Sequence, residues 1–292
     1  MNTRLSPLVV ACLAATWFGW GSTYLAIKFS LVSFPPFLGM GTRFIAAGLL
    51  LLAWTWRRGS LPSGIQWRNG IIVGTLMLGG NVGGVAYAEQ WVASGLAVSF
   101  IAITPAALAI ASLPFGIRPT RLEIAGIVLG IVGVLLLTSG KGFSGSPAGL
   151  VAMIVAVLTW SLGSVLSQHV LPLARGAAGF STQLLGGGLS LLLVSILARE
   201  TLNWPPQPLA SAAWLYLVVF GSLLAFTAYM VLLSSTSTTL ASSYTFVNPM
   251  VGMFLGVSLG SESVSGREWV AVAIIVAGVT VVVLGRGKKP GK

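Results

Sequence analysis

Apolar residues run along the chain in ten blocks of 19 to 24 residues, each ended by a short polar or helix-breaking stretch. The blocks are 7–29, 35–56, 68–90, 93–113, 121–139, 147–170, 177–198, 210–232, 238–259 and 267–285. A helix needs about 20 apolar residues to cross a bilayer. Each block is apolar throughout instead of alternating, which argues against transmembrane strands. The separators include Ser33-Phe34-Pro35-Pro36, Arg57-Arg58-Gly59-Ser60, Lys141-Gly142 and Asn203-Trp204-Pro205-Pro206. None is long enough for an extramembrane domain. The pattern predicts an all-α integral membrane protein with ten transmembrane helices.

Composition agrees. Of 292 residues, 55% are hydrophobic and only 7% charged, against about 25% charged in soluble domains. The net charge of +11 resembles a nucleic-acid signal until the charges are located. With the N-terminus cytoplasmic, eleven Lys and Arg fall on the inner side: Arg4, Arg57, Arg58, Arg68, Arg118, Arg121, Arg175, Arg286, Lys288, Lys289 and Lys292. Only four, Lys28, Lys141, Arg199 and Arg267, fall outside, and Arg43 lies within a helix. This bias predicts both termini in the cytoplasm and no nucleic-acid partner. The first apolar block carries Trp17, Trp20 and Lys28 and lacks a clear cleavage site, so it reads as a retained helix.

The halves match weakly but in order. Thr16-Trp17 aligns with Thr159-Trp160, Thr42-Arg43 with Thr182-Gln183, Ala86-Tyr87 with Ala228-Tyr229, Pro105 with Pro249, and Glu123 with Glu268, at offsets of 140 to 145 residues. Two repeats follow, 1–140 and 141–292. Each has five helices, an odd number, so they insert with opposite orientation. Inverted repeats are common in secondary transporters, which bind substrate near the midplane.

Several local sequences resemble the ten-helix exporters of the drug/metabolite transporter superfamily, EamA type, especially the YedA-like members. They are Trp20-Gly21-Ser22-Thr23-Tyr24, Pro35-Pro36, Arg43-Phe44 with Ala46-Ala47-Gly48, Ala88-Glu89, Asn248-Pro249 and Gly260-Ser261-Glu262. The resemblance implies a central cavity lined by helices 1, 3, 4, 6, 8 and 9, with helices 5 and 10 bracing it. One departure stands out: such repeats usually carry a Glu before helix 5, where this chain has Ile117-Arg118.

Candidate chemistry is sparse. Pro105 and Pro249 each remove a helical N–H at membrane depth and read as hinges or packing kinks. Trp17, Trp20, Tyr24 and Lys28 form one helical stripe, and Trp160 and Ser164 lie on one face of helix 6. With Asn81, Tyr87, Ser99, Tyr229, Ser243, Tyr244 and Asn248 they form a candidate substrate-binding set; the alternative is packing. Glu89, Arg43 and Lys28 share the outer half of the membrane. They are either a proton-coupling or gating group, or fixed ion pairs. Glycines 70, 74, 79, 80, 83 and 84 in helix 3 read as close packing or a moving wall; Gly126, Gly130 and Gly133 read as packing within the fold or a homodimer. The lone His169 sits near a loop, and Cys12 is the only cysteine. With five acids scattered among loops, no metal or cofactor is expected, and a membrane-embedded enzyme is disfavoured. No nucleotide-binding motif appears. The leading expectation is a bacterial inner-membrane exporter of a small metabolite, monomeric or homodimeric in the bilayer. A channel or uncoupled facilitator is the alternative.

Overall fold

The structure, a computed structural model, describes residues 6–140, 146–236, 238–241 and 243–286. Arg4, Lys141, Lys288, Lys289 and Lys292 lie outside the described residues, as does the boundary between the expected repeats. Among the described residues every regular element is helical. Nine helices of the described residues are long and apolar enough to span a membrane. They are α1 (Pro7–Ser30), α2 (Pro36–Arg57), α3 (Gly64–Ala88), α4 (Ser94–Phe115), α5 (Arg121–Thr138), α6 (Pro147–His169), α7 (Gly176–Leu197), α8 (Pro208–Leu232) and, after α9, α10 (Gly266–Gly285). In the ninth apolar block the described residues form a short turn of helix, Thr238–Ala241, and α9 (Tyr244–Ser258).

The helices pack in matched pairs: α3 against α6 and α8 against α1, α2 against α7, α4 against α9, and α5 against α10. Glycine sets the closest of these approaches. A Cβ on Gly126 of α5 would lie 2.6 Å from the Gly278 carbonyl of α10, and one on Gly278 would lie 2.6 Å from the Gly130 amide. The α5 glycines therefore serve packing inside the fold. The α3 glycines face α6 and α7, with Gly84 against the Ala152 carbonyl and Gly79 against Ser190.

Two helices change their winding. Helix α3 widens into a π-helix over Thr75–Val82, and α8 does so over Leu217–Leu224. These stretches stand 142 residues apart at both ends, the offset that relates Ala86-Tyr87 to Ala228-Tyr229. π-helical turns are rare and often mark functional positions. Helix starts are fixed by side-chain caps. Thr120 with Glu123 opens α5, and Ser265 with Glu268 opens α10. In each, the carboxylate accepts from the cap's backbone N–H while the cap hydroxyl accepts from the N–H three residues on, the reciprocal capping box.

Candidate functional site

An aromatic cluster joins α1, α8 and α9. Trp20 meets Tyr244 edge-on with ring centroids 4.7 Å apart, and tilts over Tyr229 at 5.4 Å. Tyr229 and Tyr244 close the triangle at 5.6 Å. Helical spacing puts Trp17, Trp20 and Tyr24 on one stripe of α1, and the pairing of α1 with α8 and α9 turns that stripe inward. The Trp17 indole N–H donates to Ser243 Oγ at 2.8 Å. The Asn248 side-chain amide faces the carbonyls of Tyr244 and Trp17, both 3.1 Å away, and its nitrogen is placed to donate to them. The indole of Trp20 donates to the Gly221 carbonyl at 3.1 Å, inside the widened stretch of α8. Six expected residues thus meet here, Trp17, Trp20, Tyr229, Ser243, Tyr244 and Asn248, and Tyr24 lies within electrostatic range of Tyr244.

The others lie elsewhere. Asn81 donates to the Ala156 carbonyl of α6 at 2.9 Å, and Ser99 donates back to the Gly95 carbonyl of its own helix at 2.7 Å. Ser164 faces Met77 of α3, and Trp160 is half-buried on the same helix. Tyr87 stacks on Phe37 at 5.7 Å and meets Trp91 edge-on. It lines a separate open pocket of about 410 Å³ with Pro36, Phe37, Gln90, Arg199 and Asn203. His169 is exposed and stacks on Phe115.

Pro105 opens the second part of a divided α4, whose segments are Ser94–Ile101 and Thr104–Ala111. The carbonyl it would leave unpaired belongs to Ile101, and the Thr104 hydroxyl donates to it at 2.5 Å. Helix α9, by contrast, runs on through Pro249.

The charged residues sort by helix polarity. Glu200 accepts from the Phe37 and Leu38 amides at the start of α2, at 3.2 and 2.7 Å. Glu262, in the connection to α10, accepts from the Ser94 amide at 2.8 Å, the Ser94 hydroxyl at 2.9 Å and the Gly95 amide at 3.1 Å, all at the start of α4. Lys28 of α1 completes its shell at 2.8 Å. Burial pushes the Glu262 carboxyl up, but Lys28 and the α4 donors outweigh it and hold it below its ordinary value. With Glu123 and Glu268 in their capping boxes, four of the five acids sit at helix N-termini, where the macrodipole favours negative charge.

Glu89 is the exception. It caps the C-terminus of α3, where the macrodipole opposes a carboxylate. It is 3% exposed, and neither carboxyl oxygen has a hydrogen-bond partner among the described residues. Lys28, Glu262 and Tyr24 lie within its electrostatic reach. Arg43 does not join this group. Its Nε donates to Ser222 Oγ at 3.0 Å, Nη1 faces Met40 Sδ at 3.5 Å, and the guanidinium lies 4.9 Å from the Phe44 ring centre. The α4-to-Glu262 tie was not legible from spacing, because its partners are 168 residues apart. The two capping boxes were legible, as Thr120-x-x-Glu123 and Ser265-x-x-Glu268.

Comparison with known proteins decides the family. The profile of the EamA-like transporter family matches the chain twice, over residues 5–139 and 147–284. The chain belongs to the EamA-like transporter family. This family member is 39% identical to "Uncharacterized inner membrane transporter YedA" of Escherichia coli (strain K12), over 99% of this chain and 94% of that one. It is 27% identical to "Protein PecM" of Dickeya dadantii, over 90% and 88%. It is 23% identical to a "Probable amino-acid metabolite efflux pump" of Salmonella typhimurium, over 91% of both chains. A solved crystal structure matches the fold with a TM-score of 0.66 at 21% identity, covering 97% of this chain and 99% of that one.

Proposed function

We propose that this EamA-family protein is a secondary transporter that exports a small metabolite, an amino acid, amine or drug-like compound, across a bacterial inner membrane. The chain forms two inverted five-helix repeats, 1–140 and 141–292, with α9 as a short tenth crossing. The double family match, the matched helix pairs and the paired π-helical stretches support this. Both termini are cytoplasmic, on the strength of the Lys/Arg bias, so Lys28, Glu89 and Glu262 stand at the outer end. Alternating access comes from rocking of the repeats about the cluster between them.

The observation that carries the substrate site is the Trp20–Tyr229–Tyr244 triangle. It is drawn from both repeats, offers apolar faces, and is edged by Ser243 and Asn248. Such a wall suits a small amphipathic molecule. Glu89 is the residue placed to exchange a proton, because burial and helix polarity both disfavour its charge. A thermal-stabilisation screen of the purified protein against amino acids, amines and nucleosides identifies the cargo. That cargo then drives counterflow in proteoliposomes. Trp20→Ala is expected to abolish both stabilisation and counterflow. Flux through wild type with no saturation would establish a channel instead.

A further inference from the structure

Glu262 ties together three parts of the outer end. Its carboxylate holds the N-terminus of α4 through Ser94 and Gly95, holds α1 through Lys28, and is itself carried by the connection from α9 to α10. Ser94 and Lys28 belong to the first half of the chain and Glu262 to the second. The contact is therefore a bolt between the halves. It is buried on the carboxylate side, at 2% side-chain exposure, while the Lys28 side chain is 34% exposed. The ammonium is thus the part of the bolt that can move.

A second carboxyl feels the charge of that ammonium. Glu89 is buried, has no hydrogen-bond partner on either oxygen among the described residues, and sits at the wrong end of a helix for a negative charge. The charged and titratable groups that face it are Lys28 and Tyr24 from α1 and Glu262 from the α9–α10 connection. Two carboxylates beside one lysine cannot both be satisfied by it. An unpaired buried charge is the costlier arrangement, so the closed form suits a neutral Glu89 and an ionised Glu262.

We propose that Lys28 is exchanged between Glu262 and Glu89, and that this exchange opens the outer end of the bundle. In the closed form Lys28 pairs with Glu262 and Glu89 keeps its proton. When the Glu89 O–H bond breaks, its proton passes to water at the outer end. Lys28 then swings to the new carboxylate, and Glu262, having lost its cation, releases the start of α4 to water. One proton leaves and the charge of the trio falls by one, so opening is favoured as external pH rises. The inference rests on the transporter reading only for calling this movement a gate.

Cysteine accessibility tests it. Cys12 is the sole native cysteine, so a Cys12→Ser background accepts one reporter. Ala97→Cys places a thiol one turn behind Ser94, where Ala97 is fully buried. Ser30→Cys is a nearly isosteric second reporter at the end of α1, should the first distort α4. Labelling by a membrane-impermeant maleimide, corrected for thiolate fraction with a denatured control, is expected to rise with pH. Its steepest slope is about tenfold per pH unit, that of a one-proton equilibrium. Glu89→Gln is expected to label slowly with no pH step. Glu262→Gln is expected to label quickly at every pH. If Glu262→Gln fails to fold, Lys28→Met replaces it and is expected to lose the pH step. A pH step that survives in Glu89→Gln overturns the exchange, as does wild-type behaviour of both bolt variants. The readout needs no cargo. Intact gating with no counterflow would sink the transport reading and leave the bolt standing.

Discussion

The connection into α10 carries Glu262, which gathers the α4 donors and Lys28 at one end of the bundle. The corresponding connection into α5 carries Ile117 and Arg118. There a small cavity of about 130 Å³ lies between Ser112, Ile117, Glu123 and Gln168. The helices that begin at these ends differ as well. Helix α4 starts on a buried carboxylate, whereas α9 starts at Tyr244 beside Ser243, which accepts a neutral hydrogen bond from Trp17. Charge-assisted hydrogen bonds are roughly twice as strong as neutral ones. Related repeats can thus have similar helix pairing and yet meet with unequal strength at their two ends. In this family member, cohesion by charge is concentrated where Glu262 stands.

The largest expected effect comes from removing that carboxylate. Glu262→Gln leaves Lys28 unpaired and weakens the grip on Ser94 and Gly95. A loss of about 2–4 kcal/mol is expected for breaking a buried charged pair, read as a lower midpoint in thermal unfolding. A wild-type midpoint would abolish the contrast between the ends. The pH dependence has a definite sign. The Glu262 carboxyl is held below its ordinary value in the folded protein, so its stabilisation is fully present above that ordinary value. It is lost as pH falls through the lower folded value. Acid should therefore lower the wild-type midpoint more than that of Glu262→Gln.

Next in size is Gly278→Val in α10. The added side chain meets α5 backbone, and overpacking of this kind costs about 1–3 kcal/mol. This contact braces neither end in particular, so the loss should be the same in wild type and in Glu262→Gln. Tyr244→Phe removes a hydroxyl and keeps the ring. It should leave stability within about 1 kcal/mol of wild type and change cargo affinity, measured by ligand-dependent thermal shift. The smallest effect is expected for Ser99→Ala. Its hydroxyl only bonds back to its own helix, and a change below about 0.5 kcal/mol should follow.

The contrast was half-visible before the structure. Continuous apolar blocks identified nine membrane helices because hydropathy needs no partner to be read. The ninth block is described in two helical pieces, Thr238–Ala241 and Tyr244–Ser258. Its first part holds Thr238, Thr239 and Ser243, residue types that compete with helical hydrogen bonds, while Leu and Ala keep the average apolar. The α1 stripe was legible because three- and four-residue steps share a face. Asn81 and Ser99 fell outside the cluster because their partners are backbone carbonyls, which no side-chain pattern reveals. Tyr87 aligned with Tyr229 in sequence, yet it lines its own pocket. The missing Glu before α5 was visible as a departure, but its meaning came only when Glu262 was found on Ser94.

Hydrogen–deuterium exchange tests the inequality of the two ends most directly. The amides of Ser94 and Gly95 end on the Glu262 carboxylate, while those of Phe246 and Val247 at the start of α9 end on the Ser243 carbonyl. In Glu262→Gln the first pair should exchange at least about tenfold faster than in wild type, the equivalent of ~1.4 kcal/mol, and the second pair should not change. Equal exchange of Ser94 and Gly95 in both proteins, or an equal acceleration at both ends, would contradict the account.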